Sequence, residues 1–185
     1  MNYYLLECDF IEDEASFSFD NEFRKIVNKS DLSIKAYGHP PVIHVDQVYT
    51  QRNISDVLKT IDFIPHRKIV DFFNLNFISG VQFIPVEVNL DDHVLTDYFH
   101  MNVYTSYSVL EVHRSEARNY SDYYESYDFI KKMVFDSKKL NQLKIKHDVF
   151  RVKEYISAVV VNEKVKNILD KHHITGVVTF PIEVI

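Results

Sequence analysis

The side chains able to do chemistry are few and widely spaced. Nine histidines lie at positions 39, 44, 66, 93, 100, 113, 147, 172 and 173, with no H-E-x-x-H pair and no cysteine partner, so no zinc-type ligand spacing is present. His172 and His173 read as the polar end of a helix, where a partly protonated imidazole suits the negative end of the dipole. Cys8 sits between Glu7 and Asp9, neighbours that suppress the reactive thiolate. It cannot form an intrachain disulfide and suits a reducing, cytoplasmic setting. The three glycines, at 38, 80 and 176, are too far apart for a dinucleotide fingerprint, a phosphate-binding loop or a nucleophile elbow. Glu87 and Glu183 are the one recurring carboxylate pair. Strand alternation turns both away from the apolar set, where a charge discourages edge-to-edge pairing. The expectation is a protein that is not an enzyme and has no catalytic residue, metal or cofactor.

A different chemistry is concentrated in EARNYSDYYESYD, residues 116–128. Tyrosine brings large contact area with few rotors, and carboxylates steer a basic partner. Glu116, Asp122, Tyr123, Tyr124, Glu125 and Asp128 are therefore candidate partner contacts, with Asp91 and Asp92 as a second acidic candidate in a loop. Tyr120, Tyr123, Tyr124 and Tyr127 also follow the i, i+3, i+4, i+7 spacing of a helix packed on its own core, and both readings stand. Charge is divided along the chain. Residues 1–130 hold 10 Lys or Arg and 21 Asp or Glu, whereas residues 131–185 hold 11 and 6, within an overall charge of −6. An acidic molecule is a poor general polyanion binder. The lysine-rich segment 131–153 leaves a nucleic-acid-binding regulator as an alternative, beside an enzyme with an unrecognised site.

The elements that must position these residues contain an internal repeat. KIVDFFNLNFISGVQFIPVEV, residues 68–88, aligns without a gap on KVKNILDKHHITGVVTFPIEV, residues 164–184, with 7 of 21 positions identical. Each copy predicts a short helix, a glycine stop and a strand. In the second, Asn162 is the expected N-cap and Val165, Ile168 and Leu169 the apolar face. Ile69, Phe72 and Phe73 form that face in the first, with Pro65 near the helix entrance. Ile84, Val86 and Val88, and their counterparts Phe180, Ile182 and Val184, are expected to face the core. Pro85 and Pro181 place their strands at edges or bulges, and Gly80 and Gly176 supply positive φ.

Residues 1–10 and 42–49 read as extended, 98–112 as strands, 125–142 as a helix, and 149–161 as a strand leading to the second helix. The fold class is α+β: a mixed sheet with two related helix–strand halves and additional N-terminal and central elements in a single domain, 1–185. With 46% hydrophobic residues, 14 Phe and 12 Tyr, the chain has ample material for a core. The acids at Glu7, Asp9, Glu12, Asp13 and Glu14 argue against a signal peptide, and no run is long enough to span a membrane.

VFRV at 149–152, VVVNEKVKNIL at 159–169 and ITGVVTFPIEV at 174–184 together form a pattern that resembles the immunity proteins of bacterial polymorphic toxin systems, in the family formerly catalogued as a domain of unknown function and associated with a myxobacterial immunity protein. Phe150, Arg151, Thr175, Gly176, Phe180 and Pro181 carry the likeness. It covers the C-terminal third well, the middle loosely, and in the first 60 residues only an initial tyrosine-containing strand. The resemblance implies a cytoplasmic antitoxin that binds a toxin effector domain and blocks its active site or substrate access. It carries over no catalytic residue and no toxin-facing one.

Overall fold

The computed structural model describes residues 2–9, 13–20, 23, 32–46 and 53–185. Met1, Phe10 and residues 47–49 of the two expected extended runs, and Glu12, lie outside them. The described strands are β1 (Tyr3–Cys8), β2 (Phe17–Phe19), β3 (Val42–Val45), β4 (Val81–Asn89), β5 (Val94–Val103), β6 (Ser106–Tyr107), β7 (Arg118–Ser121), β8 (Ser126–Phe129), β9 (Val134–Phe135), β10 (Val149–Val152), β11 (Tyr155–Asn162), β12 (Val177–Pro181) and β13 (Glu183–Val184). The described helices are α1 (Arg67–Leu75), α2 (Ser137–Leu143) and α3 (Glu163–Lys171). One sheet runs β12-β1-β11-β10-β6 and a second β2-β3-β4-β5; β13-β9 and β7-β8 are two-stranded. The fold is α+β.

The repeat is structural to the level of single hydrogen bonds. Asn162 caps α3 by accepting from the Val165 N–H at 3.1 Å, and His66 caps α1 by accepting from the Lys68 N–H at 3.2 Å. Both helices end alike. Asn76 and His172 are C-caps with φ near −97° and −99°. Phe77 and His173 follow in the left-handed region at φ 51° and 49°. The Ile78 and Ile174 N–H groups then reach back to the Phe73 and Leu169 carbonyls. Gly80 and Gly176, at φ 96° and 83°, turn the chain into β4 and β12.

The duplication extends well beyond the aligned segments. Parallel β3 pairs Val42 with Glu87 and Ile43 with Val88, and parallel β9 pairs Val134 with Glu183 and Phe135 with Val184. The bridge Val57 to Pro65 matches Val149 to Val161. β1 lies between β11 and β12, with Tyr3 opposite Asn162 and Tyr4 opposite Pro181. Residues 98–103 of β5 take the same place in the first half, with Tyr98 opposite His66 and Phe99 opposite Pro85. Each unit therefore lends its first strand to the other: β1 completes the sheet around α3, and β5 the sheet around α1.

Each unit also receives the other's turn. The Ser79 N–H and hydroxyl donate to Asp148 Oδ2 at 2.9 and 2.8 Å, and the Asp148 N–H donates to Ser79 Oγ. In the mirror exchange, the Thr175 N–H donates to Asp56 Oδ2 at 2.9 Å and the Asp56 N–H to Thr175 Oγ1 at 3.0 Å. Beside these crossings, a Cβ on Gly80 would lie 1.9 Å from the Val149 carbonyl oxygen, and one on Gly176 2.1 Å from that of Val57.

Apolar packing follows the same symmetry. A central cluster draws Ile69 and Phe73 from α1, Val165 and Leu169 from α3, Leu6, Met101 and Val149 from the strands, and Val57 from the segment before α1. Successive strand residues point to opposite faces, so Tyr3 and Val160 join Phe135, Phe150 and Ile182 on the far face of one sheet. Tyr98, Ile64, Ile43, Leu58 and Val86 occupy the matching places on the other.

Several local expectations change. Residues 125–142 do not form one helix: β8 and β9 come first and only α2 is helical. Residues 149–161 form the β10–β11 hairpin. Ile84, Val86 and Val88 are buried, but of the second set only Ile182 is; Phe180 and Val184 are exposed, because β12 is the outer strand of its sheet and β13 pairs only with β9. Pro181 ends that outer strand. Pro85 stands in β4 ahead of the residues that β3 covers, next to the register shift between Val86 and Val88.

Candidate partner-binding surface

The acid–tyrosine segment is a β-hairpin. Tyr120 of β7 pairs with Tyr127 of β8 across the ladder, their rings 4.9 Å apart. The tip turns through Asp122 to Glu125, with Glu125 at φ 49°. There Tyr123 and Tyr124 meet edge to face at 4.8 Å, 86% and 62% exposed. The i, i+3, i+4, i+7 spacing is therefore not a helix face packed on the core; cross-strand pairing wins because β-propensity of tyrosine and a polar turn agree with each other locally.

The hairpin is anchored at its base. The Tyr127 N–H donates to the Glu154 carbonyl at 2.8 Å. Buried Ser126 donates to the same carbonyl and accepts from the Ile156 N–H. Lys139 ties the Glu154 carboxylate to the Leu110 carbonyl. A fixed base under an exposed aromatic tip keeps the entropy cost of docking small.

The fold interleaves charges that the chain keeps apart. Lys131 and Arg118 approach Glu116 at 3.0 and 3.8 Å, and Lys153 approaches Glu125 at 3.3 Å. Lys132 pairs with Glu183 and holds its carboxyl below the ordinary range. Asp122 and Asp128 are exposed and have no ion-pair partner among the described residues. Asp91 and Asp92 lie apart, in the β4–β5 turn of the other sheet, where Asp92 contacts His93 at 2.5 Å. Lys131, Lys132, Lys139 and Lys153 of the basic segment are thus engaged with carboxylates of this chain.

One ionisable cluster has no clear signal in the sequence. Asp62, His100 and Arg151 are all buried. His100 Nε2 lies 3.3 Å and Arg151 Nη2 3.8 Å from the Asp62 carboxylate, while Arg151 Nη1 donates to the Ile156 carbonyl at 3.0 Å. Burial lowers the Arg151 pKa, and Asp62 opposes that shift. The three side chains come from separate strands and turns, so only the fold brings them together. A histidine at 100 and an arginine at 151, each within an apolar strand, are the only hints. Glu87 and Glu183 lie in different sheets, each beside its own pairing strand. Among the described residues no group of three His, Cys, Asp or Glu could hold a metal ion, and no helix is long and apolar enough to cross a membrane.

Comparison with protein-family models and with curated proteins gives no match to this chain.

Proposed function

We propose that this chain is a cytoplasmic immunity protein that binds a toxin effector domain and blocks its active site or substrate access. The observation that supports it is the anchored hairpin presenting Tyr123 and Tyr124 beside the unpaired carboxylates Asp122 and Asp128. Solvent-facing aromatics contribute nothing to the core at this position, and aromatic anchors rimmed by charge are the usual energetic centre of a protein interface. The unpaired acids favour a basic partner and faster encounter with it.

The test is a tagged full-length chain used as bait in its native host under toxin-inducing conditions, beside a Tyr123→Ala/Tyr124→Ala variant and an Asp122→Lys/Asp128→Lys variant. The expected result is one stoichiometric partner whose isolated activity is inhibited by the wild-type chain. Loss of the two tyrosines weakens that complex by about 2 kcal/mol or more, and charge reversal slows association. Folding stability stays within about 0.5 kcal/mol for both. Inhibition left intact by both variants removes the hairpin from the interface. Salt-dependent retention of DNA or RNA in place of a protein rejects the immunity reading.

A further inference from the structure

The two halves differ in what lies beside the outer edge of their matched strands. In the first half a stretch of this chain runs along β4. The Lys35 N–H donates to the Gln82 side-chain oxygen at 2.9 Å, and the Gln82 amide donates back to the Lys35 carbonyl at 2.6 Å. Farther along, the Glu87 N–H donates to the Pro41 carbonyl at 2.9 Å. The pairing of β3 with β4 and of β9 with β13 sets residues 35–41 against residues 127–133. That second stretch is drawn elsewhere: the Tyr127 N–H donates to the Glu154 carbonyl, and the Lys131 and Lys132 N–H groups to that of Ser115. Among the described residues, β12 keeps β1 as its one strand neighbour.

This edge has both bonding capacity and room. The Asp9 N–H donates to the Gly176 carbonyl and the Ile182 N–H to the Tyr3 carbonyl. The even-numbered residues of β12 therefore bond to β1, and the backbone groups of Val177 and Thr179 point outward. Neither has an outward hydrogen-bond partner among the described residues. No charged side chain lies in Val177–Pro181 to discourage strand addition, and Pro181, without an N–H, leaves Val177 and Thr179 as the donors of the edge. Between β12 and α3 lies a groove of about 480 Å³, whose walls include Leu169, His173, Ile174, Val177 and Thr179. At the position matched to Thr179 the first half carries Phe83, whose ring packs edge to face on Phe73 at 5.7 Å. The matched pair in the second half, Leu169 and Thr179, leaves that space open.

We propose that β12 and α3 form a docking groove for an extended segment of a partner protein. The segment adds to the sheet through the outward backbone groups of Val177 and Thr179, and places an aromatic side chain in the space that Phe83 fills in the other half. Main-chain bonds then supply affinity and the groove supplies specificity. The occupant is inferred from the molecule's own first half, where extended chain runs beside the matching edge and an aromatic ring fills the matching space. This goes beyond the immunity reading and is independent of the hairpin.

Octapeptides selected from a random displayed library on the full chain test it, without any toxin. The expected peptides carry an aromatic residue within an alternating apolar pattern, and when bound they slow hydrogen exchange at the Val177 and Thr179 N–H groups. Thr179→Phe installs the residue that the matched backbone carries and fills the groove from within. Thr179→Pro removes an outward donor that β1 does not use, a substitution that an edge strand tolerates. Both keep the fold, as checked by circular dichroism, and each weakens peptide binding about tenfold or more. A library that yields no peptide dependent on Thr179 overturns the proposal, as do peptides that leave those two N–H groups unprotected. A wild-type dimer in sedimentation velocity that Thr179→Pro abolishes also overturns it, and gives the edge to a second copy of this chain.

Discussion

The two halves of this molecule repeat each other at the turn and diverge inside the sheet and at the surface. Ser79 with Asp148 and Thr175 with Asp56 make the same reciprocal contact, and Gly80 and Gly176 pass the opposite half's backbone with no room for a Cβ. At other matched positions the chemistry differs. Asp62 and His100 stand where the second half has Ala158 and Leu5, and Arg151 stands where the first has Lys59. Repetition is retained where each half must close on the other; divergence is tolerated where only one half bears the consequence.

The largest effect expected is at the buried ionic cluster. Asp62→Ala leaves Arg151 buried beside no countercharge and should cost about 3 to 5 kcal/mol in denaturant unfolding. Asp62→Ala, His100→Leu and Arg151→Met combined should recover most of that loss, since no buried charge is left and the sites matched to Asp62 and His100, Ala158 and Leu5, are apolar. A triple variant as unstable as the single one would mean that the cluster is required for the fold.

The next effect sharpens the likeness between halves. Gly80→Ala and Gly176→Ala should each destabilise by about 3 kcal/mol, from left-handed strain and overpacking together. Gly38→Ala, where a Cβ meets nothing within 4 Å, should stay within about 0.5 kcal/mol. Unequal losses at Gly80 and Gly176 would show that one crossing dominates.

The crossings also differ in their carboxylates. Burial pushes the Asp148 carboxyl up, but the Ser79 N–H and hydroxyl, the Asn162 amide and the Lys164 charge outweigh that and hold its pKa below the ordinary value. Asp56 is instead in a direct ion pair with Lys68 at 2.5 Å. A depressed folded pKa stabilises fully above the unfolded value of 3.8, and that contribution is lost as pH falls through the folded pKa. Asp148→Ala should therefore cost about 2 kcal/mol at neutral pH, and less in strong acid. Unfolding curves for wild type and variant should converge as pH falls.

The smallest expected effect has the opposite sign. Phe77→Asn should stabilise the monomer by about 1 kcal/mol, read as a higher Tm, because asparagine tolerates φ near 50° better than phenylalanine does. His173→Asn should gain a similar or smaller amount. A loss at Phe77 would place its ring in a contact within the monomer.

Much of the repeat was legible in the chain. Helix caps, glycine turns and the apolar faces of α1 and α3 depend on residues three or four apart, and Asn162, Val165, Ile168 and Leu169 behave as their spacing predicts. The acid–tyrosine segment was legible as a candidate surface but not as a hairpin, because tyrosines at i, i+3, i+4 and i+7 satisfy a helical period as well. The cluster of Asp62, His100 and Arg151 was not legible, since long-range pairing is written in no local pattern.

By itself, the sequence determined the α+β class, the doubled helix–glycine–strand unit and the ends of its two repeated helices, all of which rest on local backbone preference and short-range burial. Only the tertiary structure decided that β1 and β5 change places between the halves, that lysines of the basic segment neutralise acids of the earlier one, and that Asp62, His100 and Arg151 meet. Those outcomes depend on which distant strands share a sheet. That choice is made by the joint burial of the whole core.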